Sequence, residues 1–448
     1  MVPSAQSVII SLNSQFIMSL WSNYMDLAGI FVLVIFIVAL LGIMSERIND
    51  TATALLALAL SAATIYLLDG ISFAGLLTSI EWDVIIFVMA MMIIVSVVAS
   101  TGLFQYAAVI IARRTGGQPR LTFIYLMVMV FAISLFFDPL PTMLIVCPVT
   151  VEVCNAIDVD FRPFLICEAV VAGLASLPTP IGSVTNLVIV YIAGIDIGLM
   201  FIVLFPLSAA LFIVTLWYMM NRYSDVLKPL EERDLTDLFL LDPRVLMRSE
   251  REFYVAIAAL AALVVGLMLA PNQGAIIALL VATMLLVLSG NRAKDFLKHL
   301  SWDTVFFLLG MLGVVQALVL TGVIEAIAQG FQWLVGTNVI VATALMIWIP
   351  GVVMSPIDSK AVGVLLAPVA GDLKLGNPMI PISLTVGTNA GGYVVPFGDA
   401  PSVVVVSTAE KHLKPLSWAE FNRVVIPLGF LQMIIATIYC ALASLFFI

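Results

Sequence analysis

Run after run of about twenty residues in this chain carries almost no charge, which limits sharply what it can fold into. Residues 27–45, 51–68, 84–112, 201–220, 253–270, 275–288, 304–327 and 424–447 are such runs. About 20 apolar residues cross the hydrocarbon of a bilayer as a helix. Backbone groups in lipid must be satisfied within their own segment, so each run is expected to be an α-helix. Composition agrees: 62% of the 448 residues are hydrophobic and 10% charged, against about a quarter charged in soluble domains. The expected class is an all-α polytopic membrane protein, multi-pass in the cell (plasma) membrane. A soluble enzyme is excluded, and a net charge of −9 leaves no broad basic surface for nucleic acid. The four cysteines lack CxxC spacing, and His299 and His412 lie among loop charges. No disulfide framework, metal site or cofactor is expected.

Four further apolar stretches, 121–155, 164–191, 339–370 and 379–408, are interrupted by Pro, Gly and Asp. The chain is also duplicated. Trp82-Asp83 and Thr101-Gly102 recur as Trp302-Asp303 and Thr321-Gly322, an offset of 220 that also pairs Asp138 with Asp358 and Pro148 with Pro368. Pro180-Ile181-Gly182 recurs as Pro396-Phe397-Gly398 at an offset of 216. The chain divides into an N-terminal lead-in (1–27), a first transmembrane repeat (28–220), a charged cytoplasmic linker (221–252) and a second transmembrane repeat (253–448). Suppose the stretches around Asp138 and Asp358 are re-entrant hairpins, and the Pro-x-Gly breaks interrupt helices that do cross. Each repeat then crosses five times and the second is inverted. All of the 19 Lys and Arg except Lys360, at a hairpin tip, and Lys374 then fall on one face, expected to be cytoplasmic. Inverted repeats with discontinuous helices are the architecture of many secondary transporters.

The chemistry is expected where charge and broken backbone sit at membrane depth. A carboxylate there costs about 2.5–3.5 kcal/mol on insertion scales, so Asp138 must face protein, water or a bound ion. Pro139 and Pro141 interrupt the helix beside it. Asp138 reads as a cap on the following helix, as a substrate or proton site, or as both. Asp358 and Lys360 read as a neutralising pair, as a Lys standing where a sodium ion would otherwise sit, or as charge for an anion site. Unwound backbone is tolerated at this depth only where it lines a cavity or binds something. The candidate ion- and substrate-binding set is Asp138, Thr142, Thr179, Pro180, Gly182, Asn186, Asp358, Ser359, Lys360, Thr388, Asn389, Gly398 and Asp399, with protons carried by Asp138 and Asp358. Glu152, Glu168 and Glu325 are further candidates for a proton path, each also readable as a snorkelling or capping acid.

These motifs resemble the ion transporter superfamily. The carriers of the resemblance are Trp82-Asp83, the hairpin Phe137-Asp138 with Thr142 and Pro148-Val-Thr150, the break Pro180-Ile-Gly-x-x-x-Asn186, and Gly398-Asp-Ala-Pro401 with Ala409-Glu-Lys-His412. Within it the chain is similar to the arsenite-efflux permeases, the D-type sodium/proton antiporters and the melanosomal P protein, which share a citrate-transporter-like domain. The resemblance covers roughly residues 28 to 448 and implies a dimeric or monomeric carrier whose transport domain moves against a scaffold as an elevator. There are departures. The usual Asp-Asn start of the hairpin is Asp138-Pro139 here and Asp358-Ser359 there. Asn389-Ala-Gly-Gly392 has no counterpart in the first break, and the Ser-Asn-Thr tips of sodium-coupled dicarboxylate carriers are absent. The leading expectation is a proton-linked secondary transporter exporting a small anion or metalloid such as arsenite. A sodium/proton antiporter is the alternative, followed by a dicarboxylate carrier and an anion channel. No enzyme is expected, since neither a nucleophile–base pair nor a metal cluster appears.

Overall fold

The computed structural model describes residues 26–44, 47–228, 249–270, 273–298, 300–353, 359–373, 376–394 and 400–447. Asp358, Lys374, Gly398, Asp399, nearly all of the lead-in and most of the linker lie outside the described residues. Among the described residues all regular structure is helical, and seven helices are long and apolar enough to cross a membrane.

The first repeat contains α1 (Leu27–Met44), α2 (Asp50–Asp69), α3 (Phe73–Ser79), α4 (Trp82–Ser100), α5 (Leu103–Arg114), α6 (Pro119–Ser134), α7 (Pro139–Ala156), α8 (Arg162–Ala175), α9 (Val184–Ala193) and α10 (Ile197–Arg222). The second runs in the same order: α11 (Glu250–Leu269), α12 (Gly274–Ser289), α13 (Ala293–Lys298), α14 (Trp302–Leu320), α15 (Val323–Val335), α16 (Val339–Trp348), α17 (Ser359–Asp372), α18 (Met379–Val394), α19 (Ala400–Lys411) and α20 (Trp418–Ser444). The start of α14 follows that of α4 by 302 − 82 = 220 residues, and α17 follows α7 by 359 − 139 = 220. Helix-interior prolines recur too, with Pro148 in α7 matched by Pro368 in α17, and Pro206 in α10 by Pro427 in α20.

The duplicated Trp has a structural role. The Trp82 indole N–H donates to the Leu77 carbonyl at 2.9 Å, and that of Trp302 to the Leu297 carbonyl at 3.1 Å. Each tryptophan thereby ties a short surface helix, α3 or α13, to the long one that follows. Asp83 and Asp303 sit in the first turns of α4 and α14, where a negative charge meets the positive end of the helix dipole.

Two expected spans are corrected. Residues 84–112 and 304–327 do not form single helices, because Thr101-Gly102 and Thr321-Gly322 turn the chain. Gly102 and Gly322 adopt φ of 81° and 72°, a conformation that glycine takes without the strain a Cβ would add. The following α5 and α15, of 12 and 13 residues, extend only about 18–20 Å, short of the ~30 Å hydrocarbon core.

Packing between the repeats is reciprocal. Helix α2 of the first lies on α14 of the second, and α12 of the second lies on α4 of the first. Likewise α9 lies on α17, and α19 on α7, while α8 meets its counterpart α18 and α10 meets α20. The backbones approach closely at Gly310 in α14, where a Cβ would stand 2.6 Å from the backbone carbon of Ala54 in α2. Apolar side chains such as Leu67, Ile213 and Val287 remain exposed on the outer helix surfaces, as a bilayer solvent allows.

Candidate functional site

Asp138 joins two helix N-termini. It is the N-cap of α7, one carboxylate oxygen accepting from the Leu140 N–H at 3.1 Å, while the other accepts from the Val184 N–H of α9 at 3.3 Å. The free N–H groups and dipole of each helix start favour a negative partner, so the capping role is met twice by one residue.

The break between α8 and α9 is clamped rather than loose. The Thr179 hydroxyl donates to the Leu135 carbonyl at 2.5 Å and accepts from the Gly182 N–H at 3.0 Å. A Cβ on Gly182 would lie 2.7 Å from the Ser134 carbonyl oxygen, so only glycine lets the break lie against the end of α6. The Asn186 amide donates to the carbonyls of Ser176, Leu177 and Thr179 at 2.8, 3.4 and 3.3 Å, satisfying backbone left over where α8 ends.

The repeats meet at this point. The Asn389 amide of α18 donates to the Asn186 side-chain oxygen at 2.5 Å and to the Thr385 carbonyl at 2.7 Å, and its own oxygen accepts from the Ser176 hydroxyl at 3.1 Å. Beside this bridge is a pocket of about 70 Å³. It is lined by Asp138, Pro139 and Leu140 at the start of α7, Ser183 and Thr185 at the start of α9, Ser359 and Lys360 at the start of α17, and Ala400 and Pro401 at the start of α19. Thr388, Asn389 and Tyr393 of α18 close it, with Gly173 of α8. A Cβ on Gly173 would press to 3.0 Å from the Tyr393 ring. A second cavity of about 290 Å³ separates α4 from α7 and has Asp138, Pro180 and Lys360 on its wall, among apolar residues such as Phe87, Met91 and Leu144. Asp138 and Lys360 therefore face both spaces.

Of the residues singled out in the sequence, Asp138, Ser359, Lys360, Thr388 and Asn389 come together in the small pocket. Pro180 lines the larger cavity, Asn186 reaches the site through Asn389, and Thr179 and Gly182 hold the break. Thr142 stands apart, buried beside Phe104, Ile133 and Phe137. The Thr388 hydroxyl turns back onto the Leu384 and Thr385 carbonyls. Asp358, Gly398 and Asp399 lie outside the described residues. Ser183, Thr185 and Tyr393 were missed, although the first two fall within the quoted Pro-Ile-Gly-x-x-x-Asn motif. Glu152 and Glu325 are exposed, whereas Glu168 is fully buried and accepts from the Thr150 hydroxyl at 2.5 Å.

A charged cluster marks the α7–α8 turn. Arg162 holds Asp160 at 2.7 Å and reaches Glu420 of α20 at 3.6 Å, and Lys414 lies over the Phe161 ring. Burial opposes the charge on Asp160, but the hydrogen bonds and charge of Arg162 outweigh it and hold the carboxyl below its usual range. A depressed carboxyl contributes stability above its unfolded pKa and loses it as pH falls through the folded value. Asp160→Asn is expected to cost about 1 kcal/mol or less of stability at neutral pH for a pair partly open to solvent, read as a small fall in melting temperature. It should also flatten the acid-side decline in a thermal-stability profile against pH.

Comparison with known proteins agrees with this architecture. Residues 31–379 match the family described as "Citrate transporter". The uncharacterized transporter Rv2684 of Mycobacterium tuberculosis is 30% identical over 87% of this chain and 92% of its own. The human P protein is 24% identical over 92% of this chain but only 58% of its own length. Among solved structures, the Alcanivorax borkumensis YdaH transporter superposes with a TM-score of 0.60 at 14% identity, covering 93% of this chain and 98% of that one. Neisseria gonorrhoeae MtrF gives 0.55 at 11% identity, covering 96% and 98%. These two likenesses concern the fold. The family match and the full-length identity make this chain a member of the citrate transporter family, within the ion transporter superfamily, and a multi-pass membrane transporter.

Proposed function

We propose that the chain is a proton-linked secondary transporter of a small anion, built from two inverted repeats and working as an elevator. The observation that carries this reading is the pocket on which the N-termini of α7, α9, α17 and α19 converge, with Lys360 and Asp138 on its wall. Helix N-termini and an ammonium group favour an anion. Like charges disfavour a carboxylate and an anion side by side, so the pocket takes the anion together with a proton on Asp138. Co-occupancy of this kind ties substrate movement to the proton gradient. Export of arsenite, the sequence-based expectation, would instead need the proton to displace the substrate.

The reciprocal packing of the repeats supports a two-fold relation between them. The one-sided charge distribution supports an axis in the membrane plane. The Asn186–Asn389 bridge ties α9 to α18, the clamped break ties α9 to α6, and α17 packs on α9. The larger cavity lies between this group and α4, which supports a moving body of this composition. Cysteine labelling in intact cells is expected to find positions 113, 294 and 414 cytoplasmic and position 273 outside. Finding 47 and 273 on one side would overturn the inversion, because the α1–α2 and α11–α12 loops hold corresponding places in the two repeats.

Sodium/proton antiport is disfavoured, since the carbonyls of Ser176, Leu177 and Thr179 that could hold a cation are taken by Asn186. The test is counterflow in proteoliposomes with citrate, arsenite, antimonite, dicarboxylates, sodium and chloride. Acceleration by a carboxylate or oxyanion is expected. Exchange of sodium alone would make the protein an antiporter, and conductance without counterflow would make it a channel.

A further inference from the structure

We propose that Glu168 is a second proton-binding site, buried in the membrane between the substrate pocket and the face carrying Asp160 and Lys414. This rests on the proton-linked reading above. The Glu168 side chain is fully buried in α8. One carboxyl oxygen accepts from the Thr150 hydroxyl at 2.5 Å, and the other is buried without a hydrogen-bond partner among the described residues. The ion pairs formed among the described residues engage other acids. A carboxylate here would bury a charged oxygen without a donor, which costs far more than burying the neutral acid. An ionisable group at such depth marks a functional position more often than a packing one.

Among the described residues no cluster of His, Cys, Asp or Glu is placed to hold a metal, and the ion pairs engage other acids. The titratable groups facing Glu168 are the thiols of Cys147 and Cys154 on α7 and of Cys167 beside it on α8. The elements packed on α8 carry their charges toward their ends, with Arg120 on α6, Glu152 on α7, Arg222 on α10, Glu410 and Lys411 on α19, and Glu420 and Arg423 on α20. Position along the helix gives the site its direction. Arg162, at the surface cluster, precedes Glu168 by six residues, about 9 Å of rise. Ala169 and Gly173, just beyond it, line the substrate pocket. Cys154 lies within the electrostatic reach of both Glu168 and the Asp160–Lys414 cluster. The acid therefore stands next to the pocket lining, about 9 Å of helix rise from the charged cluster at one membrane face. Were it only a polar staple joining α7 to α8, an amide oxygen would serve Thr150 equally well.

The experiment follows from that distinction. Glu168→Gln keeps the acceptor for Thr150 but cannot bind and release a proton. In proteoliposomes counterflow should persist, while accumulation driven by a pH gradient falls about tenfold or more, as when one group of a proton transfer is lost. The unmutated protein is expected to show the infrared carbonyl band of a buried protonated carboxylic acid, and Glu168→Gln should remove it. Unchanged gradient-driven accumulation, or an unchanged band, would overturn the proposal. If the unmutated protein ignores a pH gradient, the proton-linked reading fails on its own, while the infrared band still decides whether Glu168 holds a proton. Should Glu168→Gln not fold, Thr150→Val removes the donor and is expected to shift the band to higher frequency. A band that does not move would count against the site.

Discussion

Asp138→Asn is expected to abolish pH-gradient-driven transport while leaving the protein folded. Asn matches the size of Asp and keeps an oxygen for one of the two helix starts. Its amide nitrogen cannot accept from the other, so either the Leu140 or the Val184 N–H loses its acceptor. Loss of one cap costs about 0.5–2 kcal/mol, which a chain burying this much apolar surface tolerates. Loss of the ionisable group removes the proton that accompanies the anion, an effect of about a hundredfold or more. Transport assays with a detergent-stability check separate the two. Transport at the unmutated rate, with unchanged pH dependence, would reduce Asp138 to a cap.

Asn186→Ala is expected to damage both stability and transport. The Asn186 amide serves the carbonyls of Ser176, Leu177 and Thr179, and its oxygen receives the Asn389 amide from the other repeat. Each buried polar group left unsatisfied costs roughly 1–3 kcal/mol, and several are orphaned at once. The freed carbonyls are also what a cation would seek, so residual transport in this variant should become sensitive to sodium. A melting temperature and sodium response equal to those of the unmutated protein would show that the Asn186–Asn389 bridge does not organise the site.

Much of this was legible in the sequence because lipid makes exceptions expensive. An acid, a lysine or a proline pair in a long apolar run has few cheap explanations, and Asp138, Lys360 and Asn389 do line or border the pocket. The duplication was legible as a register of identical residues, and the helices recur at that register. The turns at Thr101-Gly102 and Thr321-Gly322 were not seen as helix ends, because their flanks stay apolar on both sides and hydropathy does not register a change of direction. Thr142 was grouped with the site because it follows Asp138 in the hairpin motif that carries the family resemblance. Its rotational position on α7 points it among phenylalanines, whereas Thr185, at the second position of α9, reaches the pocket. The Asn186–Asn389 bond spans 203 residues, and no local periodicity announces a contact between repeats. Glu168 and Thr150 were visible singly, but only packing of α7 on α8 reveals them as a pair.

The most direct measurement is uptake of the substrate found by counterflow into proteoliposomes carrying an imposed pH gradient, with sodium replaced throughout by choline. The account predicts accumulation that follows the proton gradient, collapses with a protonophore and is unchanged by choline. Accumulation that requires sodium and ignores the pH gradient would contradict it.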